Sequence, residues 1–135
     1  MATIEWRDDY DTGQKVLDDQ HRQLVEILNS LEDAVRRERG RPVEDAILKD
    51  LVGYTQEHFS FEEKLLADAG YAGFAELQRR NRLWIREIER VHYERLTADR
   101  PLTPEFRRAL RNWLQDHLVQ GDEVFRKNLV RPRSG

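Results

Sequence analysis

Apolar residues recur along this chain at alternating steps of three and four, the period of a helix that buries one face. Leu17, His21, Leu24, Leu28, Leu31 and Val35 form a first stripe. It predicts a helix from about Asp18 to Arg39, with Asp18 as its N-cap and Gly40 as its stop. Ile47, Leu51, Tyr54, His58, Glu62 and Leu65 form a second stripe, from about Val43 to Ala69, with Pro42 just before it and Gly70 just after it. Phe74, Leu77, Asn81, Trp84, Ile88 and Val91 form a third, from Phe74 to Leu96. Phe106, Leu110, Trp113, His117 and then Val124 or Phe125 form a fourth, from Pro104 to about Leu129. Residues 1–17 lack this period and predict an extended arm, packed onto the helices by Trp6 and Tyr10, while residues 130–135 predict a frayed tail. The connections are short. The prediction is therefore an all-α, up-down-up-down antiparallel four-helix bundle with an N-terminal extended arm, one domain over 1–135 with the bundle at 18–129.

Composition narrows the chemistry. The chain has 135 residues, enough to bury a core without staples, and no cysteine, which removes disulfides, thiolate metal sites and cysteine nucleophiles. With 23 Lys and Arg against 26 Asp and Glu, nothing in the charge favours nucleic acid as a partner. No apolar stretch approaches a membrane span, and MATIEWRDDY has no basic segment leading into an apolar run. The expectation is a cytoplasmic protein with neither a membrane nor a nucleic-acid partner, its protein partners unspecified.

The stripes carry polar residues where leucine belongs. His21 interrupts the first, His58 and Glu62 sit four apart on the second, and His117 follows Trp113 on the fourth. Asp122 lies five residues beyond His117, a rotation of about 140° on an ideal helix. A local bulge at Gly121 would swing it inward; otherwise it sits at the edge of the seam. Burying such groups costs free energy unless they are paired. One buried histidine is usually a hydrogen-bonded core residue, but three histidines with two carboxylates on facing stripes suit a divalent cation: iron, manganese or zinc. The alternative is a salt-bridged core of protonated histidines against Glu62 and Asp122. No motif supports serine–histidine or phosphate-loop chemistry, and nothing specifies a substrate, so the reading is a binding protein and not an enzyme; oxidase or oxygenase chemistry at a single iron has no dedicated residues.

The arm and first helix, IEWRDDYDTGQKVLDDQHRQLVEILNSL, resemble the start of a bacterial hemerythrin. HFSFEEKL resembles that family's H-x-x-x-E helix, and WLQDHLVQGD its H-x-x-x-x-D helix. The likeness runs from Ile4 to about Phe125 with the motifs in order. It implies a centre of two irons between four helices, with O2 bound at one of them. His21 and His58 would serve one iron, His117 with two third-helix histidines the other, and Glu62 and Asp122 would bridge.

The third helix departs from that pattern. Counting on from the aromatic turn GYAGF, the family's two histidine positions hold Leu77 and Asn81. Leucine cannot bind a metal, and an amide carbonyl is a poor substitute for imidazole. Gln78, Arg79 and Glu76 flank these positions off the stripe, and His92, three turns on, reads as a solvated residue. One site keeps His21, His58, Glu62 and Asp122, a competent set for a single ion; the other keeps His117 alone, free to turn toward the remaining metal or to support it by a hydrogen bond. In the family each of two irons gives one electron to O2, which a single iron cannot match. The readings that follow are a hemerythrin-like protein with an altered, mononuclear non-heme centre in metal binding or O2 and redox sensing, a true di-iron O2-binding hemerythrin, and a metal-free helical interaction module. Iron is favoured, one ion over two, with manganese or zinc as alternatives and O2 or another small molecule as ligand.

Overall fold

The computed structural model describes the backbone of residues 3–98 and 101–128, and side chains as far as residue 120. A short 3-10 turn, Asp8–Tyr10, precedes four helices: α1 Lys15–Arg36, α2 Arg41–Asp68, α3 Phe74–Ala98 and α4 Pro104–Asn128. Side-chain pairs fix their directions. His21 reaches Glu62 on α2 and shares a ring contact with His117 on α4, while Glu32 further along α1 pairs with Arg107, earlier on α4. Glu63 on α2 meets Asn81 on α3, whereas Asp45 at the start of α2 meets Arg95 near the end of α3. Each pair therefore runs antiparallel, the all-α four-helix bundle that short connections require.

The helix ends differ from the expected ones for identifiable reasons. Asp18 is not the N-cap of α1; Gln14 is, and the helix starts at Lys15. Asp18 is buried in the first turn, where one carboxylate oxygen accepts hydrogen bonds from the Thr12 backbone N–H and hydroxyl, both at 2.8 Å. A carboxylate there also faces the positive end of the helix dipole. The arm is pinned further along by Asn29, which exchanges two hydrogen bonds with the Ile4 backbone at 2.8 and 2.9 Å. Ile4 and Tyr10 are buried, and the Arg22 guanidinium covers the Trp6 ring.

Gly40 does not stop α1 either. The helix ends at Arg36, and Glu38 turns left-handed at φ 52° so that Arg39 N–H can reach the Ala34 carbonyl. Gly40, at φ 99°, instead leads into α2, with Pro42 inside its first turn. Gly70 does end α2 as expected, closing it with the same pair of reversed bonds at φ 69°. The strain at Glu38 makes a prediction. Glu38→Gly is expected to raise stability by about 0.5–1 kcal/mol, the left-handed penalty less the added freedom of the unfolded chain. A lower urea midpoint for the variant would contradict it.

Leu24, Leu28 and Leu31 from α1 join Leu48 and Leu51 from α2 and Leu110, Leu114 and Leu118 from α4 in the main core, while Leu17 and Leu66 form a smaller cluster beside it. On α2 the fully buried residues stand one position past several expected ones: Leu48, Thr55 and Leu66 are buried, while Ile47, Tyr54 and Leu65 are half-buried. A stripe written in sevens drifts about 20° per heptad around a straight helix, and over this 28-residue helix the drift brings the next residue inward. Leu114 and Leu118 displace Trp113 and His117 from the centre of α4 in the same way. α3 is the most weakly buried helix, with Asn81, Ile88 and Arg95 inside. The Arg95 guanidinium is neutralised by Asp45 and Glu44 at 2.7 and 2.8 Å, tying the end of α3 to the start of α2. Among the described residues no helix is long and apolar enough to cross a membrane.

Candidate metal centre

Four of the five expected residues converge. His21 comes from the second turn of α1, His58 and Glu62 from successive turns of α2, and His117 from α4; one donor atom of each lies within 4.8 Å of all the others. Glu62 Oε2 is the hub, 2.7 Å from His58 Nε2, 2.8 Å from His117 Nε2 and 3.3 Å from His21 Nε2. His58 and His117 also bring their Nε2 atoms to 3.1 Å from each other. The α2 pair follows from the i, i+4 spacing alone. His21 reaches it from α1, which packs along α2, and His117 from α4, which packs on α1 and extends its ring across the core, with Leu17, Leu24, Leu114 and Leu118 buried in the layers on either side.

The ring tautomers favour metal binding. His58 Nδ1 lies 2.8 Å from Gln20 Oε1. An amide oxygen only accepts, so Nδ1 carries the hydrogen and the Nε2 lone pair points into the cluster. His21 Nδ1 is buried with no hydrogen-bond partner among the described residues. The ring of His117 is packed between Trp113, stacked at 5.3 Å, and Phe59, at 5.7 Å. Trp84 stacks in turn on Trp113 at 4.9 Å, so a ladder of three rings crosses from α3 to the cluster.

The four donors could hold a metal ion. Four donors about 2.1 Å from a common centre stand about 3.0–3.4 Å apart in octahedral or tetrahedral arrangement. Four of the six donor separations, at 2.7–3.3 Å, are close to that spacing, and all six lie within 4.8 Å. Without a cation, burial opposes charge. It holds the His21 imidazole down to about 4, aided by the nearby His58 and His117 and against the pull of Glu62. Burial would raise the Glu62 carboxyl, but the imidazoles of His117, His58 and His21 outweigh it and keep the group well below the usual carboxylate range.

A pH dependence follows for metal-free protein. An unfolded histidine titrates near 6.5, the folded His21 near 4, so between these values the unfolded chain binds the extra proton. Stability from this residue is complete above the unfolded value and is lost as pH falls through the window. The loss from pH 7 to pH 4.5 is expected to be about 2–3 kcal/mol. Urea unfolding in the presence of chelator measures it; a midpoint unchanged across that range would mean that His21 is not held neutral.

Asn81 is buried, but its amide donates to Glu63 Oε2 at 3.1 Å, and Gln78 donates to Glu63 Oε1 at 3.0 Å. Leu77 packs against the satellite core of Leu17 and Leu66. Neither belongs to the histidine cluster. Gln78 is half-buried and bonded across the α2–α3 seam, while Glu76 and Arg79 pair with each other in solvent. His92 is half-buried and not fully solvated. The Asp122 side chain lies outside the described residues, but the backbone of α4 is regular α-helix through Asn128, without the bulge at Gly121 that would turn Asp122 inward. Gln20 against His58, Phe59 against His117 and Glu63 against Asn81 are not legible in the sequence. Each is adjacent in sequence to a stripe residue or lies on its shoulder, and no local pattern separates it from an ordinary helix position.

Residues 12–127 match the model of the Hemerythrin HHE cation binding domain. A Bacteriohemerythrin from Pseudomonas aeruginosa (strain LESB58) is 34% identical over 122 residues, covering 90% of this chain and 78% of that protein. A Bacteriohemerythrin from Stenotrophomonas maltophilia (strain R551-3) is 33% identical over 125 residues, covering 93% and 80%. The fold matches the crystal structure of wild-type hemerythrin with a TM-score of 0.85 at 23% identity, covering 95% of this chain and 98% of the other. The histidine and glutamate cluster therefore lies within a domain whose matched region spans all four helices, and the chain belongs to the hemerythrin family.

Proposed function

We propose that this chain is a hemerythrin-like binding protein that holds a single non-heme ion, iron by preference, on His21, His58, Glu62 and His117. The observation that carries the reading is the direction of His117. Its Nε2 lies 2.8 Å from the same Glu62 oxygen that His58 and His21 approach, so the fourth helix contributes to the same donor set. The third-helix side chains support it. At the positions where the family resemblance implies histidines, Leu77 is occupied with packing and Asn81 with Glu63, so α3 offers no imidazole for a second ion. Asp122 completes the set if α4 bends locally once the ion is bound.

When bound, the ion supplies a Lewis-acidic centre with coordination positions left for a small ligand, O2 in the sensing reading. The chain's own residues do the rest. Gln20 fixes the His58 tautomer, Trp113 and Phe59 hold the plane of His117, and the buried Glu62 carboxylate balances the cation's charge. A second reading, a two-iron O2-binding protein, is favoured by one fact: relatives about a third identical over nine-tenths of the chain bear the name Bacteriohemerythrin.

Elemental analysis and an anomalous-scattering map of iron-loaded crystals separate the readings. One peak among His21, His58, Glu62 and His117 is the expected result. Two peaks between the helices would sink the single-ion reading in favour of the second, and metal content far below one ion per chain after loading would leave a metal-free interaction module.

A further inference from the structure

Beside the metal cluster, on the far side of His117, a cleft of about 400 Å³ opens between α3 and α4. Its floor is Leu77, Trp84 and Trp113, with Asn81 at the inner end. Trp84 on α3 and Trp113 on α4 stack at 4.9 Å across it. The volume lies within the range of about 300–1,000 Å³ found for small-molecule sites. Arg80 on α3 and Asp116 on α4 both line the cleft, and both are exposed. They do not pair with each other, and neither makes an ion pair among the described residues; Arg80 lies in the field of Glu76, one turn back on α3, whose carboxylate is bonded to Arg79. Trp84 Nε1 is buried and likewise without an acceptor.

We propose that this cleft binds a small zwitterion with an apolar body, an α-amino acid carrying an aromatic or large aliphatic side chain. An anion alone would meet Asp116, and a cation alone would meet Arg80. A molecule whose ammonium and carboxylate share one carbon can present a charge to each side of the cleft at once. Its side chain then covers the apolar faces of Leu77 and the indoles, where most of the affinity must arise, because exposed ion pairs contribute little. The cleft is built by the fold and not by the ion, so the proposal stands independently of the metal reading. If the ligand binds, it contacts the Trp113 ring that supports His117, which gives the metal centre a neighbour able to sense it.

Calorimetry and tryptophan fluorescence of the full chain, metal-free and metal-loaded, test this with four probes: L-phenylalanine, 3-phenylpropionate, phenethylamine and glycine. L-Phenylalanine is expected to bind with submillimolar affinity, the two singly charged analogues at least about fivefold more weakly, and glycine without measurable heat. Arg80→Gln should weaken L-phenylalanine and 3-phenylpropionate but not phenethylamine; Asp116→Asn should weaken L-phenylalanine and phenethylamine but not 3-phenylpropionate. Both positions are exposed, so the variants should fold, and an unchanged helical circular-dichroism spectrum and unfolding temperature would show that they have. No binding of L-phenylalanine up to about 10 mM would overturn the proposal. So would equal binding of all three aromatic probes, or L-phenylalanine affinity indifferent to both substitutions. Metal stoichiometry is read separately, so a failure of the single-ion reading leaves these outcomes unaffected.

Discussion

Glu62→Gln is expected to lower metal affinity by about a hundredfold or more, while leaving the backbone in place. The carboxylate is 1% exposed, a single oxygen of it meets three imidazole nitrogens, and it is the one carboxylate in the cluster among the described residues. Glutamine keeps the volume and one acceptor but removes the negative charge that balances the cation. The same substitution is expected to cost metal-free protein about 1–3 kcal/mol, because three buried imidazoles lose a charged hydrogen-bond partner and an amide can meet only some of them. The two effects are read separately, affinity by competition with a chromogenic chelator and stability by urea unfolding of chelated protein. His92→Ala is the control, since His92 lies outside the cluster, and its metal content should equal that of the wild type. Glu62→Gln protein that keeps its metal through chelator dialysis would mean that the ion, if any, sits elsewhere.

The substitution also separates what the sequence could foretell from what it could not. Four helices were legible because leucine spacing needs no tertiary information, and His58 with Glu62 was legible because four residues place two side chains on one face whatever the partner. Their convergence with His21 and His117 followed from a topology that short connections impose. The boundaries were less legible. Asp18 has the composition of an N-cap, yet Thr12 in the arm captures its carboxylate and lets α1 start a turn earlier, a contact between a loop and a helix that no local pattern encodes. The finer register on α2 was missed for a different reason. That helix packs against both α1 and α3, so its buried face is broad and Thr55, Phe59 and Leu66 share it with the expected stripe. Glu63 is the instructive omission. It follows Glu62 directly and looks like a solvated charge, but Asn81 gives it a buried partner on α3, and the pair Asn81–Glu63 has meaning only once both helices are in place.

Placing histidines at both third-helix positions, Leu77→His with Asn81→His, is expected, on the single-ion proposal, to raise metal content from about one ion per chain to about two. Positions 77 and 81 are one turn apart on α3 and line the cleft on whose other wall His117 stands. Two added imidazoles would supply the donors that the second ion lacks. The metal-free variant should be less stable by about 1–3 kcal/mol, because Leu77 leaves its contacts with the Leu17 and Leu66 cluster and Asn81 releases Glu63. Loading should return that loss, since an ion that binds only the folded chain stabilises it in proportion to its affinity. Each single substitution should stay near one ion, because one imidazole does not complete the site. The double variant must therefore show two changes together, a second ion and a larger rise in unfolding temperature on loading than the wild type shows. A double variant that unfolds less readily only through its first ion, with metal content unchanged, would place the missing ligand positions elsewhere on α3. Adding Glu62→Gln to the double variant distinguishes a shared carboxylate from two independent sites: loss of both ions would make Glu62 the bridge, and loss of one would confine it to the cluster of His21, His58 and His117.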